Sequence, residues 1–126
     1  MPLVTVTLQR PKTTEFKTLV LDAVHEALVH VGVPGADRFQ RVLELAPEDF
    51  RFDAGFPDAQ QARTADFMLV EILWSVGRSV KVKKQFLSHL HHGLTAKGFN
   101  TENLMVVLKE TQWENWSFAG GRQMHA

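Results

Sequence analysis

Three residues of this chain combine a reactive group with a local sequence that would present it: Pro2, directly behind Met1; Asp37, in Pro34-Gly35-Ala36-Asp37-Arg38; and Arg78, in Gly77-Arg78-Ser79. Inside a chain, a prolyl nitrogen is a tertiary amide with no proton and no basicity. If Met1 is removed, Pro2 becomes a secondary amine that can take up and release a proton. An α-amino group titrates near pH ~7.7 to 8.0. A cation such as Arg78 or an apolar pocket would lower that value, and a carboxylate such as Asp37 would raise it. Arg78 precedes a helix that Ser79 can cap. Backbone N–H groups there, together with a guanidinium fork, can grip a carboxylate. Each feature also has an ordinary meaning on its own: Pro2 a strand start, Asp37 a turn or cap, and Gly-Arg-Ser a plain strand-to-helix turn.

Other reactive side chains are less pointed. His89 and His92 share a helical face with His91 beside them, but no cysteine or acid stands at ligand spacing, so the cluster reads as a solvated surface rather than a metal site. Lys81, Lys83 and Lys84 read as a wet helix face. The tail, with Trp116 and Phe118, is too aromatic for a casual end and suits an apolar closure or a pocket wall that excludes water. Fourteen basic residues balance fourteen acidic ones, giving no global signature for nucleic acid or an anionic membrane. Absence of cysteine excludes disulfides and thiol chemistry. With no bilayer-length apolar run and no secretory pattern, the expectation is a soluble, cytoplasmic protein.

The elements that must position these residues follow from periodicity. Residues 2 to 8 alternate, placing Pro2, Val4, Val6 and Leu8 on one face of a strand. From a cap at Thr13 or Thr14, apolar residues fall at helical spacing from Phe16 to Val31, and Gly32 and Pro34 stop the helix. Strands are predicted over 39–45, 65–74 and 104–110, with a second helix carrying Val82, Phe86, Leu90 and Leu94 and ending at Gly98. The stretch 46–65 is a long excursion.

The halves also resemble each other. Residues 34–50 lie over 99–116 with one insertion, an offset of about 65 residues that points to duplication of one β-α-β unit. The expectation is one α/β domain over 1–126, with repeats at about 1–60 and 61–116 plus the tail. Two parallel β-α-β crossovers give a four-stranded mixed sheet with two helices on one face. Strands 65–74 and 104–110 are apolar at both parities, so the bare face needs a cover. Either the 46–65 stretch folds across it or copies of the chain pack there; oligomerisation is the favoured expectation.

With Pro2, the segments MPLVTVTL, DAVHEALV (22–29), VPGADRFQ (33–40), Gly77 to Ser79, NLMVVL (103–108) and NWSFAGGR (115–122) resemble the tautomerase superfamily. The branch most resembled is that of malonate semialdehyde decarboxylase and its related tautomerases. The resemblance implies a homotrimer without cofactor or metal, acting on a small 2-oxo acid, enol carboxylate or β-carbonyl acid. It implies Pro2 as general base and acid, Asp37 orienting a water or assisting the proline, Arg78 binding the substrate carboxylate, and Trp116 and Phe118 walling the pocket. Decarboxylases of that branch carry Arg-Pro-Arg, whereas this chain reads Ser75-Val76-Gly77-Arg78, so the second arginine is missing. Tautomerisation is therefore placed ahead of a decarboxylase or hydratase activity. A non-catalytic trimeric scaffold of the same fold is the rival from a different class.

Overall fold

A computed structural model describes residues 1–123. The alternation at the N-terminus becomes β1 (Pro2–Gln9), whose Val4, Val6 and Leu8 are fully buried. It leads into α1 (Thr14–His30), where the Thr13 hydroxyl accepts the Phe16 backbone N–H and fixes the helix start. Gly32, at φ 107°, turns the chain out of the helix in a conformation that a side chain would oppose. The chain returns as β2 (Phe39–Leu45), and β3 (Met68–Ser75), α2 (Val80–Ala96) and β4 (Leu104–Thr111) repeat the pattern. Ser79 caps α2 by accepting the Val82 N–H at 3.1 Å.

The sheet order is β2-β1-β3-β4. β1 pairs with β2 in parallel and β3 with β4 in parallel, as helical crossovers require, while β1 and β3 run antiparallel. One end of the sheet therefore gathers the starts of β1 and β2 and the ends of β3 and β4. Both helices lie on one face. Val20, Val24 and Leu28 of α1, with Phe86, Leu90 and Leu94 of α2, close over Val4, Val6, Val70, Ile72 and Trp74. Each fully buried leucine or phenylalanine there contributes about 1.5–3 kcal/mol. Val82, expected on the α2 stripe, is only half-buried in the first turn.

The bare face carries Leu3, Thr5, Arg41, Leu43, Glu71, Leu73 and Lys109 around a shallow cavity of about 310 Å³. Its charges are partnered: Lys109 pairs with Glu71 at 2.5 Å, and the Arg41 Nε–H donates to Thr5 Oγ1 at 2.9 Å. The 46–65 stretch leaves this face largely uncovered. Asp53 Oδ2 accepts the Gly55 and Phe56 N–H groups at 2.9 and 2.7 Å, and Arg63 Nη1 donates to the Asp53 and Phe56 carbonyls, drawing the stretch into a loop. Phe50 and Phe52 then pack on Phe67 at the sheet end remote from Pro2. The loop borders the bare face at Leu69 and Met105, while Phe39 and Leu43 stay 46% and 43% exposed. β3 starts later than the predicted 65. Asn103 clamps Thr64 with two hydrogen bonds and the Phe67 N–H returns to the Thr64 carbonyl, holding 64–67 as a turn.

Candidate active site

The strand register brings Pro2 and Asp37 to one place. Parallel pairing sets Leu3 opposite Phe39, and just before the ladder begins Met1 lies beside Asp37. The Met1 ammonium pairs with Asp37 Oδ2 at 2.9 Å, with the Asp37 side chain only 11% exposed. Consecutive backbone nitrogens are at most about 3.7 Å apart, which keeps the Pro2 nitrogen within about 6.6 Å of that carboxylate oxygen. The turn carrying Asp37 is held by its own N–H donating to Pro34 O at 3.0 Å, and by His25, buried on α1, whose Nε2–H donates to Gly35 O at 2.9 Å.

Pro2 is itself buried, and on its other side β1 sets it opposite Trp74 of β3. Trp74 connects Pro2 to Arg78. The Arg78 guanidinium lies 4.8 Å from the Trp74 ring centroid and 5.7 Å from that of Trp113, and its Nη1–H donates to Ser75 O at 3.0 Å. Burial lowers the Arg78 pKa from its ordinary value, and the negative charges of Asp37 and Glu110 draw it back up. An arginine starts so high that it remains a cation at neutral pH. Glu110 is paired in turn with Lys83 at 2.7 Å.

Trp116 and Phe118 stack with ring centroids 5.4 Å apart, and Phe39 meets Phe118 at 5.3 Å. These rings, with Pro2, Leu3 and Ser117, line an open cleft of about 270 Å³. The tail is pinned by a bridge between Ser117 and Gln123 and by Gln123 Nε2 donating to the Glu114 carbonyl. Among the described residues, Asp37 Oδ1, Trp74 Nε1, Ser75 Oγ and Trp116 Nε1, around this end of the sheet, are buried without a hydrogen-bond partner, as is Arg63 Nε in the 46–65 loop.

All five residues singled out in the sequence thus lie at one end of the sheet. Phe39 and Trp113 were not singled out. Phe39 stands in the same motif as Asp37, but its place beside Pro2 depends on the β1/β2 register. Trp113 stands three residues before Trp116, and its ring contact with Arg78 depends on the turn after β4. The histidines diverge: His91 bonds Thr101 Oγ1, His92 bonds the Ser88 carbonyl, and His89 stacks on His30 at 3.7 Å. Among the described residues no group of three histidines or acids is placed to hold a metal ion. Nor is any helix among them long and apolar enough to cross a membrane.

Two parallel-stranded β-α-β units joined antiparallel, with both helices on one face of a four-stranded sheet, make up the tautomerase fold. The chain belongs to the family described as "Tautomerase enzyme", whose profile matches residues 37–119. It is 24% identical over 127 aligned positions to the probable tautomerase YusQ of Bacillus subtilis (strain 168), covering 97% of this chain and 96% of that protein. Among solved structures it is similar to malonate semialdehyde decarboxylase, a protein described with decarboxylase and hydratase activities, at TM-score 0.87 and 29% identity, covering 95% of this chain and 92% of that one. The fold is shared with a fused 4-OT solved as a symmetric trimer, at TM-score 0.71 and 24% identity, covering 96% and 94%.

Proposed function

We propose that this protein is a tautomerase that moves a proton on a small 2-oxo acid or enol carboxylate, using Pro2 once Met1 has been removed. The observation that carries the reading is the 2.9 Å contact between the N-terminal ammonium and Asp37. It brings the N-terminal end of β1, a buried carboxylate and an aromatic-walled cavity together.

In ketonisation, neutral Pro2 takes the enol O–H proton as the C=O bond forms. The prolinium then delivers a proton to the adjacent carbon, so the amine ends as it began. Asp37, beside the amine, favours the protonated form needed for delivery and can orient a water there. Arg78 holds the carboxylate through paired N–H···O bonds. Trp116 and Phe118 keep bulk water from the reacting carbonyl. Decarboxylation is the second reading, supported by the likeness to malonate semialdehyde decarboxylase. It ranks lower because position 76 is Val, leaving one arginine where that branch places two.

The reading includes a homotrimer closed over the bare sheet faces. Leu43 and Leu73 supply apolar area there, while Lys109 is paired with Glu71 and Arg41 is hydrogen-bonded to Thr5. Sedimentation of the untagged protein is expected to give a trimer, and Leu73→Lys to give smaller species; a stable wild-type monomer or dimer would contradict this.

Intact mass and a ketonisation assay test the chemistry together. Protein lacking Met1 should ketonise a 2-hydroxy-2-alkenoate above the buffer rate, with Pro2→Ala lowering the rate by roughly 10²- to 10⁴-fold. Native protein that retains Met1, or Met1-free protein with no activity on such enols, would favour the scaffold reading.

A further inference from the structure

We infer that Trp113 is a positioning residue that holds Arg78 ready for a carboxylate by lending the guanidinium a second aromatic face. The inference rests on Arg78 as the carboxylate ligand and extends that reading to a residue assigned no role so far.

Arginine side chains are usually fixed by ion pairs, yet an ion pair also consumes the charge that a substrate carboxylate needs. Among the described residues no carboxylate lies within ion-pair distance of Arg78; Asp37 and Glu110 act on it only through space. Its orientation comes from one backbone carbonyl, that of Ser75, and from two indole rings. The quadrupole of a ring face attracts a cation and restrains it without cancelling its formal charge. This mode of support leaves a planar fork pre-organised and charged, as a site with a single arginine requires.

The two rings differ in character. Trp74 is fully buried and packs edge-on against Phe86, with centroids 5.9 Å apart, as part of the core. Trp113 is half-buried and opens the single-turn helix Trp113–Asn115, which follows β4. That turn is tied down by Asn115 Nδ2 donating to Thr111 Oγ1 at 2.7 Å and by the Trp116 N–H returning to the Trp113 carbonyl. One short turn thereby sets Trp113 against Arg78 and Trp116 against the cavity at Pro2. Tail and anion site are mechanically coupled through it.

The test compares Trp113→Ala, Trp113→Phe and Trp113→Leu, with Arg78→Ala as reference, in Met1-free protein. Binding of 2-oxobutanoate and of its methyl ester is measured by titration calorimetry, and KM and kcat with a 2-hydroxy-2-alkenoate, alongside thermal melting. Trp113→Ala is expected to weaken the acid, in Kd and KM, by roughly 3- to 30-fold, the range set by the strength of such ring contacts, with kcat changed less than about threefold. The ester should be affected little. Trp113→Phe should recover most of the loss and Trp113→Leu should not. The inference is overturned if Trp113→Ala leaves acid binding unchanged, if acid and ester lose equally, or if leucine rescues as well as phenylalanine. Should Trp113→Ala fail to fold, the Phe and Leu variants decide alone. If Arg78→Ala binds the acid as well as wild type, the carboxylate-binding reading fails, and the inference with it. If Arg78→Ala loses the acid while the Trp113 variants do not, the positioning role alone fails.

Discussion

Replacing Arg78 by lysine keeps the charge and removes the fork, separating geometry from electrostatics at the proposed anion site. In the wild type one edge of the guanidinium is tethered to Ser75 O and the group is flanked by Trp74 and Trp113, which leaves further N–H donors for a substrate. A lysine ammonium is a point donor on a flexible stem and cannot offer two parallel bonds. One charge-assisted hydrogen bond, about 1.5–3 kcal/mol, is lost while the other can be remade. That predicts a fall in kcat/KM for a 2-hydroxy-2-alkenoate of roughly 10- to 150-fold. The loss should sit mainly in KM, because the carboxylate is held alike before and during proton transfer. Steady-state decay of the enol absorbance measures both constants, and a matching melting curve shows that the fold persists. An Arg78→Lys enzyme within about threefold of wild type, or one whose loss lies wholly in kcat, would refute the fork-and-carboxylate argument.

Val76→Arg should raise decarboxylation of malonate semialdehyde relative to ketonisation, since residue 76 is half-buried and two positions before Arg78; Ser75→Arg, at a fully buried position, should fail to yield folded protein, as judged by circular dichroism. Glu110→Gln should lower KM for carboxylate substrates by roughly 2- to 5-fold, because a partly exposed negative charge that acts on Arg78 is removed. Asp53 has its pKa lowered, first by the Gly55 N–H and then by the Phe56 N–H. A depressed carboxylate stabilises the fold above its unfolded value and loses that contribution as pH falls through the folded value. Asp53→Asn should therefore melt earlier than wild type at pH 7, with the gap closing at pH values below about 4.

The helices and their caps were legible because 3.6-residue spacing and the hydroxyls of Thr13 and Ser79 are local signals. Parallel pairing within each unit was legible from the duplication, since a helical crossover fixes strand direction, but the order β2-β1-β3-β4 was not. The resemblance nominated Pro2, Asp37, Arg78, Trp116 and Phe118, and parallel pairing explains why the start of β1 lies near Asp37. Phe39 was hidden because its neighbour across the ladder is set by a register that one residue of slip would reverse. Trp113 was hidden because its contact depends on a three-residue turn whose direction no periodicity reports. The cover of the bare face was left open by apolar content alone; the pull of Asp53 and Arg63 on the 46–65 loop is a hydrogen-bond effect.

If Pro2 is the catalytic amine, the position of β1 bears on when it can be freed. This strand lies between β2 and β3, so one edge cannot pair before Phe39–Leu45 have been synthesised and the other not before Met68–Ser75. Until then no strand pairing holds the N-terminus in place, and an aminopeptidase would have access to it. Once the sheet closes, Met1 is drawn against Asp37 as an ammonium ion and the proline behind it is a buried amide. On the proposed chemistry, a molecule that folds before trimming is sealed by its own first residue. Competent sites would then be decided by a race between excision and strand pairing on the nascent chain, and slow removal of methionine during strong overexpression would leave a folded but silent fraction.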